Sequence, residues 1–158
     1  MGRVDDADHL TRLRELLSGS SQVILDTNAL IYFLQGTAPY FDLVQALFDE
    51  IEAGRLRCGV SVISELELLV KPIRDSKFDA LDEISLFLYG FPNLQVFPVS
   101  RETAAEAARI RAVTGLGVAD SIIAATAIVE AFDCIVGNDR ECAKRFTDTP
   151  YLLLDDFA

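Results

Sequence analysis

Histidine is almost missing: His9 is the only one among 158 residues. A serine nucleophile therefore has no base to activate it outside the N-terminal stretch, and His9 itself is expected to face solvent. Cysteine is scarce too. Cys58, Cys134 and Cys142 are odd in number, and two stand inside apolar runs (LRCGV and FDCIV), where cysteine behaves as a small buried hydrophobe rather than half of a disulfide. That usage fits a reducing cytosol. Basic residues are few, 14 Lys and Arg against 25 Asp and Glu, for a net charge of −11. Such a surface repels polyphosphate and excludes sequence-independent coating of nucleic acid. No apolar run reaches the roughly 18 residues of a membrane span, and the opening MGRVDDADHL is acidic where a signal peptide is basic and then apolar. A cytoplasmic protein that keeps clear of membranes is expected.

Apolar side chain, by contrast, is plentiful, at 51 % of residues with a mean hydropathy of +0.28. The length suits one domain of about 100–200 residues, able to bury roughly 68–70 % of its unfolded surface. Between Asp5 and Ser20, Leu10, Leu13, Leu16 and Leu17 recur at helical spacing, so residues 1–20 read as a helical extension packed on the domain that follows, 21–158. The apolar run Gln22–Leu25 predicts a strand buried on both faces, hence parallel to its neighbours. Further strands are predicted at Leu56–Val60, Leu94–Val99, Cys134–Val136 and Tyr151–Leu154. Helices are predicted between them: Ala29–Gln35, Tyr40–Ala53, one capped by Ser61 that ends before Pro72, Asp79–Leu88, Glu102–Val113, Ala119–Phe132 and Glu141–Arg145. Alternating strands and helices make a three-layer α/β/α sandwich around a parallel sheet.

Open sheets of this kind bind ligands beyond the C-terminal ends of their strands. Asp26 directly follows Val23-Ile24-Leu25, and Asp139 stands three residues after Val136. Two further acids sit in apolar company: Glu65 in SVISELELLV and Asp120 in VADSIIAATAIV. Each has an ordinary reading. Asp26 and Asp120 could cap helices, Glu65 could be a first-turn acid and Asp139 could hold a turn. Together they weigh differently, because four convergent anions repel unless a cation sits among them. Oxygen donors without His or Cys select a hard ion, Mg²⁺ or Mn²⁺.

Leu25-Asp26-Thr27-Asn28, Ser64-Glu65-Leu66, the run Ala119-Asp120-Ser121-Ile122-Ile123-Ala124-Ala125 and Asn138-Asp139 resemble the four acidic motifs of the PIN domain. More narrowly, they resemble the toxin ribonucleases of VapBC-type toxin–antitoxin pairs. The resemblance spans about Val23 to Leu154. It implies a five-stranded parallel sheet of order 3-2-1-4-5, Mg²⁺- or Mn²⁺-dependent hydrolysis of RNA, a homodimer, and inhibition by an antitoxin that inserts a basic segment. Asp26, Glu65, Asp120 and Asp139 would be the catalytic, metal-holding acids. Thr27 and Asn28 would support Asp26, and Asn138 would support Asp139. Residues 1–20 have no counterpart in the compact family pattern, and Gly137 stands where Thr or Ser is common, removing one polar contact.

Rival sites fail on the same residues. A dehalogenase-type phosphatase needs a second Asp where Asn28 stands, a receiver domain needs a Lys after its last strand, and an Asp-x-Ser-x-Ser metal site meets Asn28 and Leu30. Gly115-x-Gly117 follows a helix and lacks a third glycine, so it is no dinucleotide loop. Two alternatives stay open: a PIN-like nuclease for RNA processing outside a toxin–antitoxin pair, and a non-catalytic module whose acidic crevice receives a basic arm. Arg140, Lys71 and Arg74 are the basic residues nearest the acids in sequence.

Overall fold

The structure, a computed structural model, describes residues 3–158, so the first two residues of the predicted 1–20 extension lie outside the described residues. The chain runs α1 (Arg3–Leu17), β1 (Gln22–Leu25), α2 (Thr27–Gln35), α3 (Phe41–Glu52), β2 (Arg57–Ser61), α4 (Val62–Arg74), α5 (Phe78–Gly90), β3 (Leu94–Phe97), α6 (Arg101–Thr114), α7 (Val118–Val129), β4 (Cys134–Gly137), α8 (Arg140–Arg145) and β5 (Tyr151–Leu153). A turn of 3₁₀ helix, Leu154–Asp156, follows. All four strand pairings are parallel, in the order β3-β2-β1-β4-β5. The predicted class and strand order are those observed.

Alternation along the central strands divides the core in two. Val23, Leu25, Cys58, Val60, Cys134 and Val136 pack with α1, α2, α3 and α5, whereas Ile24 and Ile135 pack with α6, α7 and α8. Helices on both faces are what apolar side chains pointing both ways require. The register aligns the strand ends: Leu25 pairs with Val60 on one side and Val136 on the other. Asp26 thus emerges one residue beyond the sheet, its backbone N–H still bonded to the Val136 carbonyl at 3.0 Å.

The extension packs on its own domain. Leu13 and Leu17 are buried in the first core, at 1 % and 5 % exposure, while Leu16 faces outward. His9 is not the solvent residue expected. Its Nδ1 lies 2.7 Å from the Phe157 carbonyl, and because a carbonyl only accepts, the ring donates its proton there. Arg12 stacks over the Phe157 ring at 5.4 Å, so α1 is tied to the far end of the chain.

Two helix ends differ from expectation. The fourth helix runs through Pro72 to Arg74, since a proline in the last turn forfeits only the bond to the Leu68 carbonyl; Ser76, at φ 52°, then closes the helix. The seventh stops at Val129 rather than Phe132. There Ala131, at φ 54°, lets the Phe132 N–H reach back to the Ala127 carbonyl and swings the Phe132 ring against Gly59, where a Cβ would overlap it.

Candidate active site

Asp26 does double duty at the end of β1. Its Oδ1 accepts the Ala29 N–H at 3.2 Å, capping α2, and its Oδ2 accepts the Tyr151 hydroxyl at 2.7 Å and the Asn138 N–H at 3.2 Å. The carboxylate is only 8 % exposed. Burial pushes its pKa up, against the pull of these three donors. Asp139 likewise caps a helix, accepting the Cys142 N–H at 2.9 Å at the start of α8. The capping reading of Asp26 is correct, and Asp139, expected to hold a turn, caps a helix as well.

Asp120 has no such duty. It is the third residue of α7, whose cap is Gly117, so the capping reading fails for it. Half-buried, it is pushed up to about 6 by burial first and then by the charges of Asp139, Asp26 and Glu67. Beneath Asp26, Asp120 and Asp139 lies a small hollow lined by Ile123, Ala124, Ile135 and Cys142. The apolar floor is what makes the crowding of charge costly.

The second motif needs correction. Glu65 does not face the crevice; its Oε2 accepts the Tyr89 hydroxyl of α5 at 2.6 Å. Glu67 takes the place expected for it, with Oε1 2.9 Å from the Thr27 hydroxyl and its charge felt at Asp120. Helical geometry explains the exchange. Glu67 stands three residues after the fully buried Ser64 and shares its face, while Glu65 is turned about 100° away. A Ser-x-x-Glu spacing after the strand was the signal available.

The supporting residues also fall differently. Thr27 lies 3.0 Å from Ser64 Oγ and 2.9 Å from Glu67, so it serves Glu67 rather than Asp26. With one proton, it donates to the carboxylate, and Ser64 donates to it. Asn28 is exposed, and Asp26 draws its hydrogen bonds from Ala29, Asn138 and Tyr151 instead. Asn138 supports Asp26 through its backbone N–H, not Asp139. Its side-chain amide donates to Tyr32 and Asp155, each at 3.1 Å, and accepts the Asp155 N–H. Tyr151, unnoticed in the sequence, donates to Asp26 and accepts the Asp139 N–H at 3.1 Å. Arg140 pairs with Asp155 at 3.4 Å and Arg74 with Asp75 at 3.6 Å, while Lys71 lines a groove between α2, α4 and α5 that also holds Glu67.

Among the described residues no three acids already meet at one ligating point. Their charges are felt between one another all the same, since those of Asp139, Asp26 and Glu67 all raise the pKa of Asp120. A hard divalent cation is the partner that an all-oxygen set under such repulsion fits, so the donor chemistry suits Mg²⁺ or Mn²⁺.

Comparison with known proteins bears on the fold and the family. Three solved structures resemble the chain closely in fold. FitAcB from Neisseria gonorrhoeae has a TM-score of 0.65 at 20 % identity, covering 84 % of this chain and 97 % of that one. DNA-bound VapBC from Salmonella typhimurium has 0.64 at 21 %, covering 85 % and 98 %. A toxin-antitoxin complex from Klebsiella pneumoniae has 0.61 at 22 %, covering 84 % and 97 %. No curated protein matches the sequence significantly. The PIN domain family matches residues 23–147, a span that contains Asp26, Glu67, Asp120 and Asp139, and the chain therefore belongs to the PIN domain family, whose members are nucleases.

Proposed function

We propose that the protein is a metal-dependent endoribonuclease that hydrolyses RNA phosphodiester bonds in the cytoplasm as the toxin of a type II toxin–antitoxin pair. The observation that carries the reading is Asp120: a half-buried carboxylate with no capping role, facing three other acids. A group so placed costs stability, and strained electrostatics of this kind concentrate at working sites.

Asp26, Glu67, Asp120 and Asp139 would hold Mg²⁺ or Mn²⁺. Once bound, the cation supplies Lewis-acid polarisation of the phosphate and a water of lowered pKa. The chain's own residues do the rest. Asp26 is preset by its three donors, Thr27 steadies Glu67, and the cap on α8 steadies Asp139. Hydrolysis at the phosphorus makes no use of the ribose 2′-hydroxyl as nucleophile.

Three observations support protein partners. A net charge of −11 with an acidic crevice favours a basic antitoxin segment, and the similar structures from Klebsiella pneumoniae and Salmonella typhimurium are a toxin-antitoxin complex and a VapBC complex. Leu66, Val70 and Ile73 form an exposed apolar stripe on α4, each more than half exposed, which suits a homodimer or antitoxin contact.

The test is incubation of purified protein with total RNA in Mg²⁺, Mn²⁺ or EDTA. The expected result is cleavage with either metal, none with EDTA and none by Asp120→Asn. Cleavage of RNA that the product of an adjacent gene fails to block would favour RNA processing outside a toxin–antitoxin pair. No cleavage, with tight capture of a basic peptide, would favour the binding-module alternative.

A further inference from the structure

We infer that Tyr151 is a positioning residue, one hydroxyl that locks the first and fourth acids of the site into a fixed relation. The inference rests on the cation-site reading above. Tyr151 lies on the edge strand β5, paired with Ile135 of β4. From there its hydroxyl reaches across the end of β4 to lie 2.7 Å from Asp26 Oδ2 and 3.1 Å from the Asp139 backbone nitrogen. The direction of each bond is forced. A carboxylate has no proton to give and an amide N–H has no lone pair to offer, so the hydroxyl donates to Asp26 and accepts from Asp139.

The crossing is possible because position 137 is glycine. A Cβ there would overlap Asp26 Oδ2, Asp26 Cγ and the Tyr151 hydroxyl. The contact that Gly137 cannot make is thus supplied from the neighbouring strand. Tyr151 is well suited to the task, since its ring has few rotatable bonds and is largely buried, so the hydroxyl is held rather than merely available. With Tyr151, Asn138 and Ala29 donating, Asp26 has filled three of its roughly four acceptor sites. About one remains, so the carboxylate is set to offer a cation a single oxygen lone pair in one orientation. Partners of this kind tune the ligands they hold, and their loss costs ~10–100-fold in metal affinity.

The experiment is Mn²⁺ titration followed by electron paramagnetic resonance of the free ion, a readout independent of cleavage. Wild type, Tyr151→Phe, Gly137→Ala and Asp133→Ala are compared. Tyr151→Phe keeps the ring and removes only the hydroxyl; Gly137→Ala keeps the hydroxyl and crowds both it and the Asp26 carboxylate. Asp133→Ala, at the opposite end of the sheet, lowers stability without touching the acids and controls for a general loss of fold. The expected result is Mn²⁺ affinity ~10–100-fold weaker in Tyr151→Phe and Gly137→Ala than in wild type, and unchanged in Asp133→Ala. Wild-type affinity in Tyr151→Phe, or equal losses in Tyr151→Phe and Asp133→Ala, would overturn the role of Tyr151 and leave the cation site standing. Absence of Mn²⁺ binding by wild type would overturn the cation-site reading itself.

Discussion

Aspartates stand at both ends of the β1–β4 pair, and their surroundings are opposite. Asp133, just before β4, receives the N–H groups of Ser21 and Gln22 at 2.8 and 3.0 Å and the Ser21 hydroxyl at 3.1 Å, and these donors hold its carboxyl below the usual range. Asp120, at the other end, meets burial and three negative neighbours and is pushed up to about 6. One carboxylate ties the chain together; the other is held where its charge is unwelcome. The difference teaches that two acids of the same type can be set in opposite electrostatic surroundings by what faces them, and that the strained one is the candidate for function.

The largest effect expected from that contrast is on cleavage. Asp120→Asn and Glu67→Gln should each lower RNA cleavage at least ~100-fold, since a ligand is worth no less than the supporting partners whose loss costs ~10–100-fold. Glu65→Gln, which only weakens the Tyr89 contact by removing the acceptor's charge, should stay within about threefold, because an exposed pair of this kind contributes little. Comparable losses in Glu65→Gln and Glu67→Gln would erase the distinction between the two faces of α4.

Stability should respond in the opposite sense. Asp133→Ala should cost about 1–2 kcal/mol in urea denaturation, as hydrogen bonds to a charged group are lost, and leave cleavage unchanged. Asp120→Asn should leave the metal-free protein at least as stable as wild type, because neutralisation relieves repulsion. The pH dependence follows with matching signs. A carboxyl raised in the fold contributes stability that is complete below its unfolded value and is lost as pH rises through its folded value, so the metal-free protein should gain stability from pH 7 to pH 5. Solvent screening of a half-exposed group limits that gain to about 1 kcal/mol, and Asp120→Asn should flatten it. Asp133 acts the other way, losing its contribution only as pH falls below the ordinary carboxylate range.

Much of this was legible in the sequence, for reasons that differ by residue. Asp26 and Asp139 follow apolar strands, and strand ends of a parallel sheet are where sites form. Asp120 stood out because an acid in the apolar run of α7 needs a partner. Glu65 and Glu67 are two residues apart on one helix, and beyond the Ser-x-x-Glu spacing of Ser64 and Glu67 the choice between them rests on which face meets α5 and which meets Thr27. Tyr151 left no local trace at all, since its contact with Asp26 joins residues 125 apart in the chain. His9 departs from expectation for the same reason: its partner, Phe157, is 148 residues away.

The most direct test of the account is thermal denaturation with and without Mn²⁺, in wild type and Asp120→Asn. Ligand at 100 times its Kd stabilises the folded state by about 2.7 kcal/mol, which for a domain of this size is roughly 5–10 °C in Tm. The account predicts such a rise in wild type and little or none in Asp120→Asn. An unchanged Tm in wild type, or an equal rise in both proteins, would contradict it.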